Sequence, residues 1–161
     1  MASIRKLDCS LTSGDCREFT YHLLNDALYL PDILRNYPQM IEKYAKTMSE
    51  CLQPWALVGK QNQLGGVVFM SDVVPGHEAV FYCWIWDGSC YTSTTRRFMD
   101  EYVAHCAEEF GIHRVVARTP DDKKLGKLLD KMGFRLEGRF RGGFKHGGRL
   151  VPLFQFRKLF A

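Results

Sequence analysis

Hydrophobic and polar positions follow two different periods along the chain, and the changes between them mark its elements. Strand signals, either alternation or a short apolar run, occur in residues 3–7, 55–60, 64–71, 78–86, 113–118, 134–140 and 149–159. A period near 3.6, typical of helices, occurs in residues 17–24, 38–52, 95–110 and 121–132. The aromatic, irregular residues 27–37 are predicted as a helix–loop–helix that covers or gates a neighbouring site. This order predicts an α+β domain around one mixed sheet.

Capping residues mark the ends of the later helices. Gly111 and Gly133 are predicted to end the helices over 95–110 and 121–132, because glycine readily adopts the left-handed conformation of a C-cap. Thr119 is predicted as the N-cap of the last helix, with Pro120 at its first position.

Two strands are unusual in composition. Residues 78–86 are long, aromatic and apolar, which predicts a central strand buried on both faces. The Gly-rich residues 142–148 are predicted as a mobile loop between the last two strands. Pro152 within the last strand predicts an edge or a bulge, since proline cannot donate a ladder hydrogen bond.

Composition excludes several classes of protein. The 161 residues are 46% hydrophobic and 25% charged, which is typical of one globular domain over residues 1–161 and excludes a disordered or collagen-like chain. The net charge of +4 neither requires nor excludes nucleic acid. No apolar run has the length of a membrane helix, and residues 1–10 contain no apolar segment typical of a secretion signal, so we expect a cytoplasmic protein with no membrane partner.

The six cysteines are predicted to be reduced core residues. They show neither a CxxC pair nor the Cys/His spacing of a zinc site, so no metal site is expected. They are Cys9, Cys16, Cys51, Cys83, Cys90 and Cys106.

Residues 121–141, DDKKLGKLLDKMGFRLEGRFR, resemble the GNAT (GCN5-related N-acetyltransferase) superfamily, in its ribosomal-protein-type branch. In that branch a helix ends in a Leu-Gly-Phe-like turn, followed by a Glu-Gly-x-x-Arg stretch. Residues 132–134 and 137–139 occupy those places, and the order of elements is similar over nearly the whole chain. The resemblance implies an acyl-CoA N-acyltransferase fold and the transfer of acetyl from acetyl-CoA to an amine, such as a protein N-terminus.

The resemblance also implies where the cofactor binds. Acetyl-CoA would lie in a V-shaped opening between residues 78–86 and 113–118, where the backbone of the first strand pairs with the pantetheine. Its pyrophosphate would lie on the loop 88–95 and the following helix start, because free N–H groups and the helix dipole attract phosphate. The expected cofactor-binding residues are Trp84, Ile85, Trp86, Thr92, Ser93, Thr94, Thr95, Arg96, Arg97 and Asp122.

The phosphate loop departs from the family pattern, Arg/Gln-x-x-Gly-x-Gly/Ala. Here residues 89–94 read Ser-Cys-Tyr-Thr-Ser-Thr, and threonine resists the close backbone approach that glycine allows. The hydroxyl groups can bind phosphate instead, with charge added by Arg96 or Arg97. The alternative is that Thr94 or Thr95 only caps the helix.

Two further departures favour a different function. Asp122 stands where the family has an asparagine that bonds the cofactor, and Leu129 stands where many members have a general-acid tyrosine. These residues leave open a catalytically inactive GNAT-fold protein with a binding or structural role. Some phage-encoded relatives have virion or head-assembly roles, in which case the location would be the virion.

Glu78 is the best candidate for the base that deprotonates the amine. It begins the predicted central strand, beside His77, but both residues follow a Pro-Gly turn and can equally be solvated. Tyr82, Trp84 and Trp86 alternate onto one strand face, an arrangement more typical of a core than of a cofactor site.

Residues 135–149 form the most basic segment of the chain. It contains Arg135, Arg139, Arg141, Lys145, His146 and Arg149, with Glu137 as its single acid. We expect an acidic partner there, such as a phosphate group, a nucleic acid or an acidic peptide, unless the segment is only a solvated hairpin tip. Nucleic acid is the weakest of these, because the net charge is low and the chain shows no aromatic–basic stacking motif.

Overall fold

The computed structural model describes residues 3–8, 13–15, 17–19, 52–120 and 123–161, without the side chains of residues 52, 53 and 144. Residues 38–51 of the helix predicted over 38–52, the predicted helix–loop–helix over 27–37 and Asp122 lie outside these residues. Leu52, predicted as the last residue of that helix, instead begins a strand and pairs with Met70.

Seven strands and two complete helices form this part of the chain. The strands are β1 (Ser3–Lys6), β2 (Leu52–Val58), β3 (Leu64–Val74), β4 (Glu78–Ile85), β5 (Arg114–Thr119), β6 (Arg135–His146) and β7 (Arg149–Leu159). The helices are α1 (Ser93–Glu109) and α2 (Leu125–Lys131), with 3-10 turns at Lys60–Asn62 and Gly88–Cys90 and further helical residues at 14–15 and 17–19.

The strands form one sheet in the order β1-β2-β3-β4-β5-β7-β6. The β4–β5 pair is parallel and the other neighbouring pairs are antiparallel. The sequence prediction of an α+β fold with a mixed, mostly antiparallel sheet is therefore confirmed, with β4 at its centre.

Both faces of the sheet carry a hydrophobic core. On one face, alternate residues of β4 such as Phe81 and Cys83 pack with residues of α1 and α2, including Met99 and Leu129. On the other face Phe19 stacks on Trp84, with ring centroids 5.6 Å apart. The alternation of fully and partly buried residues along β4 places Tyr82, Trp84 and Trp86 on this second face, as the sequence predicted.

Glycines end both helices where the sequence predicted. Gly133 has φ 83°, and the Phe134 N–H donates to the Leu129 carbonyl at 3.0 Å, which completes a Schellman cap. Gly111 (φ 62°) closes α1 in the same way. These caps are local features, so a single sequence is sufficient to predict them.

The predicted start of the last helix is wrong. Thr119 is fully buried as the last residue of β5 and pairs with Phe154 of β7, so it does not act as an N-cap. The helix begins at Leu125, after a turn at Lys123–Lys124. Pairing with a strand distant in sequence outweighs the local capping pattern, since threonine also favours strands.

The loop predicted over residues 142–148 is also wrong. β6 continues to His146, and only Gly147 and Gly148 form the turn, with φ of 56° and 73° that match a type I′ hairpin. A Cβ atom on Gly143 would lie 2.4 Å from Leu153 Cβ, so this glycine permits close strand packing. The predicted bulge is confirmed: the β6–β7 register shifts between Phe140 and Phe144, opposite Pro152.

Three cysteines lie in the described residues, and all are free and buried. They are Cys83, Cys90 and Cys106, as expected of reduced core residues. Burial raises the pKa of the Cys90 thiol to about 11, which keeps it protonated and unreactive at neutral pH. Among the described helices, none combines the length and apolarity needed to cross a membrane.

Candidate functional site

The two parallel strands at the centre of the sheet separate along their length. β4 pairs with β5 from Glu78–Arg114 to Phe81–Ala117, and this pairing stops there. β4 continues to Ile85 beside β3, while β5 continues to Thr119 beside β7. The result is a V-shaped gap between the carboxyl-terminal ends of β4 and β5, as the resemblance to the GNAT superfamily implied.

Part of the β4 backbone faces this gap. The Trp86 N–H donates to the Gly65 carbonyl of β3 at 3.0 Å. Because backbone groups alternate in direction along a strand, Trp84 also turns its N–H and C=O toward β3. Cys83 and Ile85 then turn theirs toward the gap, on the side where β5 has moved away.

Residues 87–92 connect β4 to α1 and are held in place by short contacts. Asp87 caps the 3-10 turn, since the Ser89 N–H and hydroxyl donate to its carboxylate at 2.8 and 2.7 Å. These hydrogen bonds lower the pKa of Asp87. A Cβ atom on Gly59 would lie 1.9 Å from the Asp87 carboxylate, so a larger residue at position 59 would displace the Asp87 side chain from its place in the loop.

Helix α1 begins at the end of this loop. The Thr92 hydroxyl accepts a hydrogen bond from the Thr95 N–H at 3.1 Å, so Thr92 is the N-cap. The alternative prediction that Thr94 or Thr95 caps the helix is therefore wrong. The Thr95 side chain is buried and its hydroxyl lies 3.0 Å from that of Thr92.

An open cavity of about 630 Å³ lies between the start of α1 and the lysine-bearing face of α2. Its lining residues are Gly88, Tyr91, Thr92, Ser93, Arg96, Lys123, Lys124, Lys127, Leu128 and Lys131. Five of these are cationic, and none of the described lining residues is acidic. The helix dipole of α1 adds to this positive potential, so the cavity favours an anion with several charges.

A smaller cavity of about 350 Å³ adjoins it. It shares Ser93, Arg96 and Lys131 with the larger cavity and adds Thr94, Arg97 and Asp100. The Asp100 carboxylate is paired with Lys158. The basic surface therefore extends around the first turn of α1.

The structure brings some of the predicted cofactor residues together. Thr92, Ser93 and Arg96 line the larger cavity, while Thr94 and Arg97 line the smaller one. Thr95 is buried beneath them.

The predicted residues of β4 lie elsewhere. The Trp84 and Trp86 side chains pack against Phe19, and the Ile85 side chain lies in the core. Their side chains do not line either cavity, and only the β4 backbone faces the gap.

Glu78 is not brought together with these residues. It begins β4, in the paired part of the β4–β5 ladder, and accepts a hydrogen bond from Arg114 at 2.9 Å. The gap opens only after Phe81, three positions further along the strand.

The lysines of the cavity were missed by the sequence analysis. Lys124, Lys127 and Lys131 are spaced three and four residues apart, which places them on one helix face. This spacing is visible in the sequence. The lysines form a binding surface only because the start of α1 lines the same cavity. The periodicity of a short segment cannot reveal that the two helices meet.

A chain of hydrogen bonds crosses the opposite sheet face beside the gap. Arg118 Nε donates to Gln155 Oε1, and Gln155 Nε2 donates to Glu137 Oε2, both at 2.8 Å. Arg114 binds the same Glu137 oxygen at 2.7 Å. Together with Gln155, Arg114 lowers the pKa of Glu137, so this carboxylate stays ionised between the basic side chains.

Comparisons by sequence find no relative: no protein-family model and no curated protein matches the chain. Comparisons by structure find many. Ribosomal-protein-S5-alanine acetyltransferase from Vibrio fischeri is similar with a TM-score of 0.73 at 18% identity, over 98% of this chain and 92% of that chain. A mutant of spermidine N-acetyltransferase SpeG from Vibrio cholerae is similar with a TM-score of 0.71 at 17% identity, over 98% and 93%.

An acetyltransferase of the GNAT family from Bacillus anthracis is also similar, with a TM-score of 0.65 at 14% identity, over 98% of this chain and 94% of that chain. The likeness spans nearly the full length of each protein. At these identities it shows the architecture. The chain therefore has the fold of the GNAT acetyltransferases.

Proposed function

We propose that this protein is an N-acetyltransferase that transfers an acetyl group from acetyl-CoA to an amine. The observation that carries the proposal is the basic cavity at the start of α1, at the open end of the gap between β4 and β5. A fold alone does not give a function. Here the fold is accompanied by a cavity lined by cationic side chains. It lies where the phosphate groups of acetyl-CoA would need positive charge.

The described residues fit the charge of coenzyme A. Arg96, Lys127 and Lys131 would hold its phosphate groups, together with the hydroxyl of Ser93 and the N–H groups of the first turn of α1. Threonines replace the family's glycines in this loop, so the side chains of α2 take over part of the binding. When bound, acetyl-CoA supplies the activated acetyl group as a thioester.

The backbone of β4 supplies the second part of the site. The N–H and C=O groups of Cys83 and Ile85 face the gap and can pair with the amides of an extended ligand there. An N–H in this position also polarises a carbonyl oxygen, which stabilises the negative charge that develops during acyl transfer.

Glu78 as the base stays a prediction. Its carboxylate is paired with Arg114 and lies before the opening of the gap. Glu78→Gln tests it directly: a base predicts a large fall in kcat, whereas a structural pair with Arg114 predicts nearly unchanged kcat. Since titration of a base moves the pH profile, the same variant should lose the acidic limb of kcat against pH.

Isothermal titration with acetyl-CoA and with CoA tests the proposal, followed by an amine screen. Micromolar binding is expected, and at a hundred times the dissociation constant the native state gains about 2.7 kcal/mol, which a thermal-shift assay detects. Absence of binding at millimolar cofactor would overturn the proposal. Binding of cofactor without transfer to any amine would leave a cofactor-binding protein and contradict the enzymatic part.

A further inference from the structure

Strands β6 and β7 extend past the end of β5 as a two-stranded ribbon, residues 138–153. The β5–β7 pairing ends at Thr119–Phe154, whereas the β6–β7 pairing continues to His146–Arg149. Because β5 is parallel to β4, the ribbon projects from the same edge of the sheet at which the β4–β5 gap opens. A molecule that enters the gap from this edge passes the ribbon.

One face of the ribbon continues the sheet face that carries Arg118. Phe156 belongs to the core under α1 and α2, so alternation along β7 turns Gln155 and Arg149 to the opposite face. Arg118 lies on that opposite face as well, since its Nε donates to Gln155 Oε1 at 2.8 Å. A cofactor bound between α1 and α2 occupies the other side of the gap, so an acceptor must approach from the Arg118 face.

This face has an apolar middle with cations on both sides. Val151 and Leu153 lie between Arg149 and Gln155 on β7, and Phe140 of β6 pairs with Leu153. The Phe140 side chain is 49% exposed. The exposed ring and the two aliphatic side chains beside it form an apolar surface. An apolar side chain of a polypeptide can cover this surface.

The charge of the ribbon is uncompensated. No acidic residue follows Glu137 in the sequence, and Glu137 is itself bound by Arg114, Arg157 and Gln155. In the described part of the chain, no salt bridge involves the ribbon cations. These are Arg139, Arg141, Lys145 and Arg149.

We infer that the acceptor is the amine of an acidic polypeptide that lies along this face. Its carboxylates pair with Arg118 and Arg149, and an apolar side chain covers Phe140 and Leu153. The inference rests on the proposed function and specifies its acceptor. A polyamine carries the wrong charge for this surface. A nucleic acid is the weaker candidate because the net charge of the chain is only +4.

Fluorescence anisotropy with short labelled peptides that have a free N-terminus tests the inference in the intact protein. The acidic peptide alternates Glu and Leu, and its controls replace Glu by Gln or by Lys. The acidic peptide should bind most tightly, and its affinity should fall as salt is raised above about 0.15 M. The Arg118→Gln/Arg149→Gln double variant should weaken binding roughly tenfold, since two charge pairs are lost.

The matched control is Arg135→Gln, which removes a charge at the far end of β6, where Arg135 binds Asp130 at 2.9 Å. It should leave peptide binding unchanged. Equal binding of the lysine peptide, an equal loss in the control, or tighter binding of a single-stranded RNA would each overturn the inference.

A parallel titration with acetyl-CoA separates this inference from the proposed function. If acetyl-CoA binds but the peptide does not, only the acidic acceptor is refuted. If the peptide binds but acetyl-CoA does not, the acetyltransferase is refuted together with the peptide's role as acceptor, and only a peptide-binding face is left. When both bind, mass spectrometry should find the acetyl group on the peptide amine, and the double variant should raise KM for the peptide without raising it for a small neutral amine.

Discussion

A Cβ atom on Gly65 of β3 would lie 2.4 Å from the Sγ atom of Cys90 and 2.9 Å from Cβ of Asp87. Cys90 is fully buried, so its side chain cannot turn into solvent to make room for a side chain at position 65. Gly65 therefore fixes how closely residues 87–92 lie against the sheet. This loop leads into α1 and forms one wall of the basic cavity.

Gly65→Ala is expected to displace this loop. Overpacking a buried contact should lower the free energy of unfolding by about 1–3 kcal/mol, and acetyl-CoA should bind more weakly because the loop shifts. Chemical denaturation and isothermal titration measure the two effects. Gly138→Ala is the control, since a Cβ atom there meets nothing within 4 Å and should leave both unchanged. Unaltered cofactor binding in a destabilised Gly65→Ala protein would contradict the link between loop position and the cavity.

Local signals in the sequence were sufficient for much of the fold. The period of α1 and the glycines at 111 and 133 identify the helices because capping and amphipathicity depend on near neighbours only. The central position of β4 was predicted from its length and apolarity, which few other segments of the chain share.

The errors arose where distant residues meet. Thr119 has the sequence context of an N-cap, but pairing with Phe154 keeps it in β5. The lysines of α2 were overlooked because their partner, the start of α1, is about 30 residues away in the chain and meets them only in the folded protein. Gly143 was read as a source of mobility, whereas Leu153 leaves no room for a side chain there.

Thr92 is expected to contribute to stability through its cap. Thr92→Ala removes the acceptor of the Thr95 N–H and should lower the free energy of unfolding by about 1 kcal/mol, while Thr92→Ser keeps the hydroxyl and most of the stability. Urea denaturation measures the difference. Thr94→Ala is the control, because Thr94 is exposed and does not cap the helix. A larger loss in the control than in Thr92→Ala would refute the assignment of the cap.

The ion pair between Arg5 and Asp15 is expected to make stability depend on pH. Arg5 donates to both carboxylate oxygens at 2.5 Å, and the Asp8 N–H donates at 2.9 Å. The hydrogen bonds from Arg5, aided by the one from Asp8, lower the pKa of Asp15 below its ordinary value of 3.8. Because the pKa of Asp15 is lower in the folded state, the ion pair stabilises the protein fully above pH 3.8. This stabilisation is lost as the pH falls through the pKa that Asp15 has in the folded state.

Asp15→Asn should therefore cost about 1–3 kcal/mol at neutral pH, with a difference from the unmodified protein that shrinks in acid. Denaturation series between neutral pH and about pH 2.5 measure this. Asp130→Asn breaks an exposed pair with Arg135 and should change stability by less than about 1 kcal/mol. A constant difference at every pH would show that Asp15 acts through packing and not through its charge.

The lysines of α2 are expected to control cofactor affinity. Lys127 and Lys131 lie one helical turn apart and both line the basic cavity, so the double change to glutamate places two negative charges beside the phosphate groups. Acetyl-CoA affinity should fall at least roughly tenfold, because charged hydrogen bonds are lost and repulsion is added. Isothermal titration at several salt concentrations measures the loss, which should shrink as salt screens the charges.

A control with the same change in net charge shows whether the loss of affinity comes from the cavity or from the overall charge of the protein. Lys6→Glu/Arg135→Glu alters β1 and β6, and neither residue lines the cavity. This variant should keep its acetyl-CoA affinity within about twofold at about 0.15 M salt, since salt screens charges that do not line the cavity. If both double variants lose affinity equally, the overall charge of the protein governs binding and α2 has no special role. If only the α2 variant loses acetyl-CoA affinity, then Lys127 and Lys131 provide the positive charge that binds the phosphate groups.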